Sequence, residues 1–207
     1  MNELTPLFVD LTDVSVVVFG GGNVALRKCK FLKSSKITMV SSSVIPELED
    51  LVEYVVISTV SDEDIGAMIE GHEMVIAATD DKDLNDRIKE ISIAKGIPVN
   101  SAHGGGTVLF PSVLEREGFV IAVSSKGRVP AYPPYLVEEL DRMLDDRFDR
   151  MLDLMVEVRS RYSDKWDQKR RSEFYKNVLR DDIVSECVRS DDMTAAMERV
   201  KEMERMQ

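Results

Sequence analysis

Apolar runs alternate with stretches of helical spacing over the first hundred residues of the chain. The run at residues 14–19 is almost unbroken, which is typical of a parallel strand buried on both faces. Four shorter apolar runs follow it, at residues 37–40, 54–57, 74–78 and 97–101. This alternation predicts an α/β fold with a Rossmann-type, doubly wound parallel sheet and right-handed crossovers. A ligand crevice is then expected outside the carboxyl ends of the strands.

The pattern changes after Pro111. Residues 119–124 alternate as a strand does, and from Tyr135 apolar side chains recur three or four positions apart, which predicts one long helix to about Arg161. We therefore expect a Rossmann domain followed by a strand-and-helix region and a small all-helical C-terminal module. Their predicted bounds are 1–112, 113–146 and 147–207, and the further helices of the tail are expected at 166–179, 181–189 and 192–206.

Three consecutive glycines follow the first apolar run directly. Gly20, Gly22 and Ala25 fit the spacing G-x-G-x-x-(G/A), and a helical pattern opens with Asn23 and Val24. Such a turn lets the backbone approach a pyrophosphate, which then lies at the N-terminal end of the helix. A structural turn without a ligand is the alternative. The strand before the glycines and the helix after them favour a dinucleotide.

The ends of the other strands are expected around the same crevice. Ser41, Ser42 and Ser43 follow the second strand, where many NAD enzymes carry an acidic residue for the ribose 2′-hydroxyl. Serine can bond either a hydroxyl or a 2′-phosphate, so these residues leave NAD and NADP open, and a polar loop without a ligand is the alternative. Thr79 follows the fourth strand and is expected at the crevice too.

Two further sites carry candidate chemistry. His103 lies just beyond the fifth strand and can take or give a proton near neutral pH, although a loop histidine without a role is the alternative. Lys126 and Arg128 flank a glycine in a later turn and are the best candidates for binding an anionic substrate, with Arg116 as a further cation. A solvated charged turn is the alternative for that patch.

The composition narrows the class of protein. The chain has 207 residues and a formal net charge of −11, which argues against nucleic acid or an anionic membrane as a partner. Cys29 and Cys187 have no neighbours at metal-ligand spacing, so we expect two reduced thiols and no metal site. The start of the chain has no basic leader, and no apolar run reaches the length of a membrane span, so we expect a cytoplasmic protein.

Several short motifs occur in a consistent order along the chain. They are G-G-G-N-V-A-L-R-K at residues 20–28, A-A-T-D-D at 77–81, V-N at 99–100, F-P-S at 110–112 and I-A-V-S-S-K-G-R-V-P at 121–130. In the order and spacing of these motifs, the chain resembles the precorrin-2 dehydrogenase and sirohydrochlorin ferrochelatase family of siroheme synthesis. The resemblance extends over roughly residues 4–145.

The resemblance implies a homodimer in which the strand-and-helix region is the dimerisation region. It also implies that NAD oxidises the tetrapyrrole precorrin-2 to sirohydrochlorin, with ferrous iron as a further substrate in some members. Asn23, Val24, Ser42 and Ser43 match positions at which the family contacts NAD. Since the substrate is a polycarboxylate, its acetate and propionate arms are the expected partners of the cations at residues 126–128.

Two departures from the family pattern leave alternatives open. Ala102-His103 stands where the family usually has a Val-Asp pair whose Asp is thought to act as acid or base, and Val129-Pro130 stands where it often has Ser-Pro. We expect His103 to accept the proton that is lost during the oxidation. The alternatives are a chelatase that inserts iron or cobalt with little dehydrogenase activity, and a non-catalytic protein that senses a nucleotide or a tetrapyrrole.

Overall fold

The structure is a computed structural model that describes residues 4–58, 60 and 62–206. The contacts within the chain divide it into two compact units, Met1–Phe110 and Pro111–Gln207. The division into three parts at residues 112 and 146 stays a prediction. None of the helices in the described ranges is long and apolar enough to cross a membrane.

The first unit contains the predicted parallel sheet. Its five strands are β1 (Ser15–Phe19), β2 (Lys36–Ser41), β3 (Tyr54–Ile57), β4 (Met74–Ala77) and β5 (Val99–Ser101). They lie in the order β3-β2-β1-β4-β5, with every neighbouring pair parallel. The strand order reverses between β1 and β4, and open α/β sheets bind their ligands at such a switch point.

Helical segments connect these strands. The helices are α1 (Asn23–Cys29), α2 (Asp62–Ile69) and α3 (Lys82–Ala94), and a 3-10 helix, Pro46–Leu51, lies between β2 and β3. α3 begins with Asp81 as its N-cap, whose side chain accepts hydrogen bonds from the N–H groups of Asp83 and Leu84. The helices thus complete the crossovers that carry the chain from one parallel strand to the next.

The central position of β1 explains its unbroken apolar run. Val16 and Val18 pack into a core on the side of α1, whereas Val17 and Phe19 pack into a second core with residues of α2 and α3. All four side chains are fully buried. Successive side chains of a strand point to opposite faces, so a strand that is covered on both faces needs an apolar residue at every position.

The second unit begins with a hairpin and continues as helices. β6 (Ser112–Glu115) pairs antiparallel with β7 (Val120–Val123), and α4 (Tyr132–Met143) contacts both strands. The helices that follow are α5 (Arg147–Tyr162), α6 (Gln168–Arg180), α7 (Asp182–Arg189) and α8 (Met193–Arg205). Their buried side chains share one core, which confirms the helical C-terminal module. β6 is missing from the sequence predictions.

The single long helix predicted for residues 135–161 is wrong. The structure divides it into α4 and α5, because Leu144 leaves the helical conformation with φ −95° and ψ 86°. The Leu144 carbonyl accepts a hydrogen bond from Arg116 Nη2 at 2.9 Å. The N–H of Arg147 then donates to Asp145 Oδ1 at 3.2 Å, where α5 begins. Apolar spacing continues across the break, so periodicity alone does not reveal it.

Candidate functional site

The turn from β1 to α1 contains two close backbone approaches. Gly20 has a φ of +108°, and a Cβ at this position would lie 2.3 Å from the carbonyl oxygen of Ala78. A Cβ on Gly21 would lie 2.1 Å from the carbonyl oxygen of Ser43. Both positions therefore need glycine, the first against the end of β4 and the second against the loop after β2. Gly21 is not one of the fingerprint glycines, and its requirement is not among the sequence predictions.

Gly22 is in a different situation from the two glycines before it. It is the N-cap of α1, with φ −102° and ψ −169°, and no atom lies within 4 Å of a Cβ built on it. Gly22 offers no side-chain cap, and the first turn of α1 has no acidic residue. The first N–H groups of the helix are therefore available to an anion such as a pyrophosphate.

A cavity of about 550 Å³ opens beside this turn, at the carboxyl ends of β1, β2 and β4. Its volume is in the range of pockets that bind small molecules and cofactors. Ser58 and Val60, which follow β3, also contribute to its lining and are missing from the sequence predictions. The lining includes all seven residues predicted to bind the cofactor, namely Gly20, Gly22, Asn23, Val24, Ser42, Ser43 and Thr79.

The charge of the cavity bears on which dinucleotide it fits. Asp80 is the one charged residue among the described residues that line it. Ser41 Oγ donates to the carbonyl oxygen of Ser43 at 2.7 Å, which fixes the loop after β2 and leaves Ser42 exposed beside the cavity. A 2′-phosphate is usually met by an arginine, whereas hydroxyl groups suffice for a ribose. The uncapped helix, the glycine turn and the serine loop thus fit NAD better than NADP.

His103 is connected to the cavity through a buried asparagine. Asn85 lies on α3 with no exposed surface, and its Nδ2 lies 2.9 Å from Nδ1 of His103. The same Nδ2 donates to the carbonyl oxygen of Thr79 at 2.9 Å, and Asn85 Oδ1 accepts from the Thr79 N–H at 3.1 Å. His103 itself is exposed and is not among the residues that line the cavity.

Asn85 is missing from the sequence predictions, although the sequence contains a signal for it. Helical spacing places Asn85 on the same face of α3 as Ile88 and Ser92, and all three are fully buried. A polar residue on a buried helical face needs hydrogen-bond partners. The partners come from two loops that the linear pattern does not bring together.

The loop that carries His103 is closed at its base. The N–H of Val99 donates to Thr107 Oγ1 at 2.9 Å, and Asn100 Nδ2 donates to the carbonyl oxygen of Val108 at 2.8 Å. Asn100 Oδ1 in turn accepts a hydrogen bond from Lys28 Nζ. Burial lowers the pKa of Lys28 from its ordinary value. These bonds fix both ends of the loop at β5.

Lys126 and Arg128 lie in the turn between β7 and α4, in the second unit. Both are exposed, and Lys126 adopts a left-handed conformation with a φ of +55°. Within the described residues neither side chain forms an ion pair. Arg116, which was expected as a further cation, is instead engaged, because its Nη2 donates to Asp141 Oδ1 at 2.8 Å. The turn therefore presents two cations to solvent, and their partner stays a prediction.

Comparison with known proteins gives matches of three kinds. A family model described as "Putative NAD(P)-binding" matches residues 7–112. A precorrin-2 dehydrogenase of Methanosarcina barkeri is 31% identical over 192 residues, which cover 88% of this chain and 86% of that relative. A siroheme synthase of Ectopseudomonas mendocina is 30% identical over 87% of this chain, but the match spans only 40% of its own length. A solved structure titled SirC, precorrin-2 dehydrogenase, has the same fold, with a TM-score of 0.74 and 21% identity over 96% of this chain and 100% of that one.

Proposed function

Because the chain belongs to the precorrin-2 dehydrogenase family, we propose that it oxidises precorrin-2 to sirohydrochlorin in siroheme synthesis, with NAD as the oxidant. The observation that carries the proposal is the cavity at the switch point of the sheet, with the glycine turn on one side and the serine loop on the other. NAD, when bound, accepts the hydride that precorrin-2 loses. The protein then contributes binding, orientation and electrostatics.

Each part of the cavity has a role in this proposal. The N–H groups at the start of α1 hold the pyrophosphate, and Gly22 lets the backbone approach it closely. Ser42 and Ser43 bond the ribose hydroxyls. Thr79 accepts a hydrogen bond from the cofactor, because its own hydroxyl proton is directed at Asn85 Oδ1, 2.9 Å away, and at the carbonyl oxygen of Asp81, 3.0 Å away.

The cations of the second unit are proposed to bind the substrate. Lys126 and Arg128 are exposed in a short turn, and a polycarboxylate tetrapyrrole needs cationic partners in a protein of net charge −11. The double variant Lys126→Gln/Arg128→Gln should raise KM for precorrin-2 and leave the Kd for NAD unchanged. An unchanged KM would remove both residues from the substrate site.

The proposed activity is tested by anaerobic absorbance spectra of precorrin-2 mixed with the protein, with and without NAD. The spectrum of sirohydrochlorin should develop only when NAD is present. Calorimetric titration with NAD on the same sample separates the alternatives. NAD binding without any oxidation of precorrin-2 would favour a non-catalytic nucleotide-binding protein and would refute the dehydrogenase.

The choice of dinucleotide gives a second test. The cavity lining that the structure describes contains no lysine or arginine to meet a 2′-phosphate. We expect NAD to bind at least about tenfold more tightly than NADP, which corresponds to about 1.4 kcal/mol. Competitive titration of both dinucleotides measures the ratio, and a preference for NADP would contradict the charge argument.

Insertion of iron into sirohydrochlorin is the runner-up activity. In the part of the chain that the structure describes, no group of three or more His, Cys, Asp or Glu side chains is placed to hold a metal ion. Iron would therefore be a substrate that meets the protein together with the tetrapyrrole. Adding ferrous iron to sirohydrochlorin and the protein without NAD tests this activity by absorbance, against a control without protein.

We also propose that the chain forms a homodimer through the strand-and-helix region. Large apolar side chains are exposed on the turn before α4 and along this helix, with exposed fractions of 54% for Val129, 54% for Tyr135 and 69% for Met143. A contiguous apolar surface formed by these side chains would be typical of an interface. Size-exclusion chromatography with light scattering should give twice the chain mass, and the Tyr135→Glu variant should lower it.

A cytoplasmic location is proposed from the state of the cysteines. Cys29 and Cys187 are both free. Free thiols are typical of proteins in a reducing compartment. Detection of the native protein in a cytoplasmic fraction, separated from membranes, tests the location.

A further inference from the structure

The side chain of Asn85 uses all of its hydrogen-bonding capacity. Nδ2 has two N–H donors, of which one meets the carbonyl oxygen of Thr79 and the other meets Nδ1 of His103, both at 2.9 Å. Oδ1 has two lone pairs, which accept from the N–H of Thr79 at 3.1 Å and from its hydroxyl at 2.9 Å. Since Asn85 is fully buried, an unpaired group on this amide would be costly.

The backbone of Thr79 fixes which way the amide points. A peptide N–H can only donate and a peptide carbonyl can only accept, so Oδ1 must face the first and Nδ2 must face the second. The atom that faces the ring of His103 is therefore a nitrogen donor. If the amide were turned over, its Nδ2 would face the Thr79 N–H and its Oδ1 would face the Thr79 carbonyl oxygen. A donor would then meet a donor, and an acceptor would meet an acceptor.

This direction determines the form of the histidine. Nδ1 of His103 must offer a lone pair to the Asn85 N–H, so the proton of the neutral ring is on Nε2. The one free lone pair of the neutral ring is thereby engaged. His103 can donate a hydrogen bond from Nε2–H, but it has no lone pair there with which to accept a proton.

We propose that His103 acts as a hydrogen-bond donor to the tetrapyrrole, through Nε2–H, and that Asn85 is the positioning residue that imposes this tautomer. The proposal rests on the proposed dehydrogenase function and replaces the expectation that His103 removes a proton. His103 is exposed, so its ring is accessible to a large ligand, and a substrate carboxylate is the acceptor that its chemistry fits best. The proton lost in the oxidation is then released to water.

Two isosteric variants separate the roles of His103. In His103→Gln the amide nitrogen replaces Nε2 as a donor, and neither amide atom can act as a base. In His103→Asn the side chain still reaches Asn85 but has no donor at the Nε2 position. We expect kcat/KM of the Gln variant to stay within about tenfold of wild type and that of the Asn variant to fall by about 10- to 100-fold more.

Other outcomes of this comparison would overturn the proposal. Equal and large losses of kcat/KM in both variants would show that His103 acts as a base, because both substitutions remove the imidazole. Activity that is retained in the Asn variant and lost in the Gln variant would show that the contact with Asn85 is all that matters. The Asn variant should keep the wild-type melting temperature, because its amide can still pair with Asn85. The Gln variant leaves one N–H of the buried Asn85 unpaired, so its melting temperature should fall.

A spectroscopic measurement tests the tautomer without any turnover, and so separates this inference from the proposed function. Long-range ¹⁵N–¹H NMR at about pH 8 reports which nitrogen of each imidazole carries the proton. The chain has only two histidines, so the variant His72→Gln assigns the signals. We expect the Nε2–H form for His103 in wild type. In Asn85→Asp the carboxylate can only accept a hydrogen bond from the ring, so we expect the proton to move to Nδ1. A wild-type ring protonated on Nδ1 would refute the proposal whether or not the protein oxidises precorrin-2.

Discussion

The substitution Gly22→Ala should separate cofactor binding from folding. The backbone at Gly22 has φ −102° and ψ −169°, which alanine adopts without strain, and no atom lies within 4 Å of the new Cβ. The unfolded chain loses entropy, so the variant should be more stable by about 0.4–1 kcal/mol. In the complex, however, the methyl group would keep the pyrophosphate away from the first N–H groups of α1. Loss of one charge-assisted hydrogen bond, about 1.5–3 kcal/mol, weakens NAD binding by about 10- to 100-fold.

The matched control is Gly21→Ala, one residue earlier in the same turn. Its Cβ would lie 2.1 Å from the carbonyl oxygen of Ser43, so the loop after β2 must move. Crowding of this kind typically lowers the free energy of unfolding by about 1–3 kcal/mol. The melting temperature of this variant should therefore fall. Calorimetric titration with NAD and thermal unfolding are measured on both variants. Wild-type affinity for NAD in a folded Gly22→Ala protein would refute the pyrophosphate assignment.

Two further predictions concern stability and reactivity. The hydrogen bonds from Arg199, at 2.9 Å for Nη2, lower the pKa of Asp181, so the stability that this pair contributes is present above the ordinary value of 3.8 and is lost as the pH falls through the lowered pKa. Urea unfolding between about pH 2 and 5 should therefore be less pH-dependent in Asp181→Asn than in wild type, and an equal dependence would contradict the assignment. Burial raises the pKa of Cys29 to about 11, so a thiol reagent at about pH 8 should label Cys187 first in the native protein. Mass spectrometry locates the label, with Cys187→Ser as the control, and rapid labelling of Cys29 in the folded protein would show that its site opens.

The sheet could be predicted because its signal is local. A strand covered on both faces needs apolar residues throughout, as β1 shows, and residues 54–57 were predicted with the bounds that β3 has. The break between α4 and α5 could not be predicted from spacing. It depends on the Leu144 carbonyl and on Arg116, which lies 28 positions earlier in the chain. The spacing of apolar residues within a helix does not report contacts with residues so distant in the sequence.

The cavity residues also divide into those that the sequence pattern could place and those that depend on contacts between distant segments. The glycine turn and the serine loop could be placed at one crevice, because the carboxyl ends of parallel strands share an edge of the sheet. The role of Asn85 depends on the exact meeting of α3 with the loops at Thr79 and His103, which the strand order does not specify. The sequence therefore predicted that His103 follows the fifth strand, whereas the tautomer proposed for its ring depends on the contact with Asn85.

Three of the motifs that define the family resemblance meet at one place in the first unit. Lys28, from the glycine-turn motif, donates to Asn100 of the V-N motif, and its Nζ lies 5.5 Å from the centroid of the Phe110 ring in the F-P-S motif. Asn100 Nδ2 also donates to the carbonyl oxygen of Val108. This bond closes the base of the loop that carries His103. Residues of three motifs in which the chain resembles the family thus fix this loop. The proposed hydrogen bond from His103 to the substrate requires the loop to keep its position, and the bonds of Asn100 fix the base of this loop.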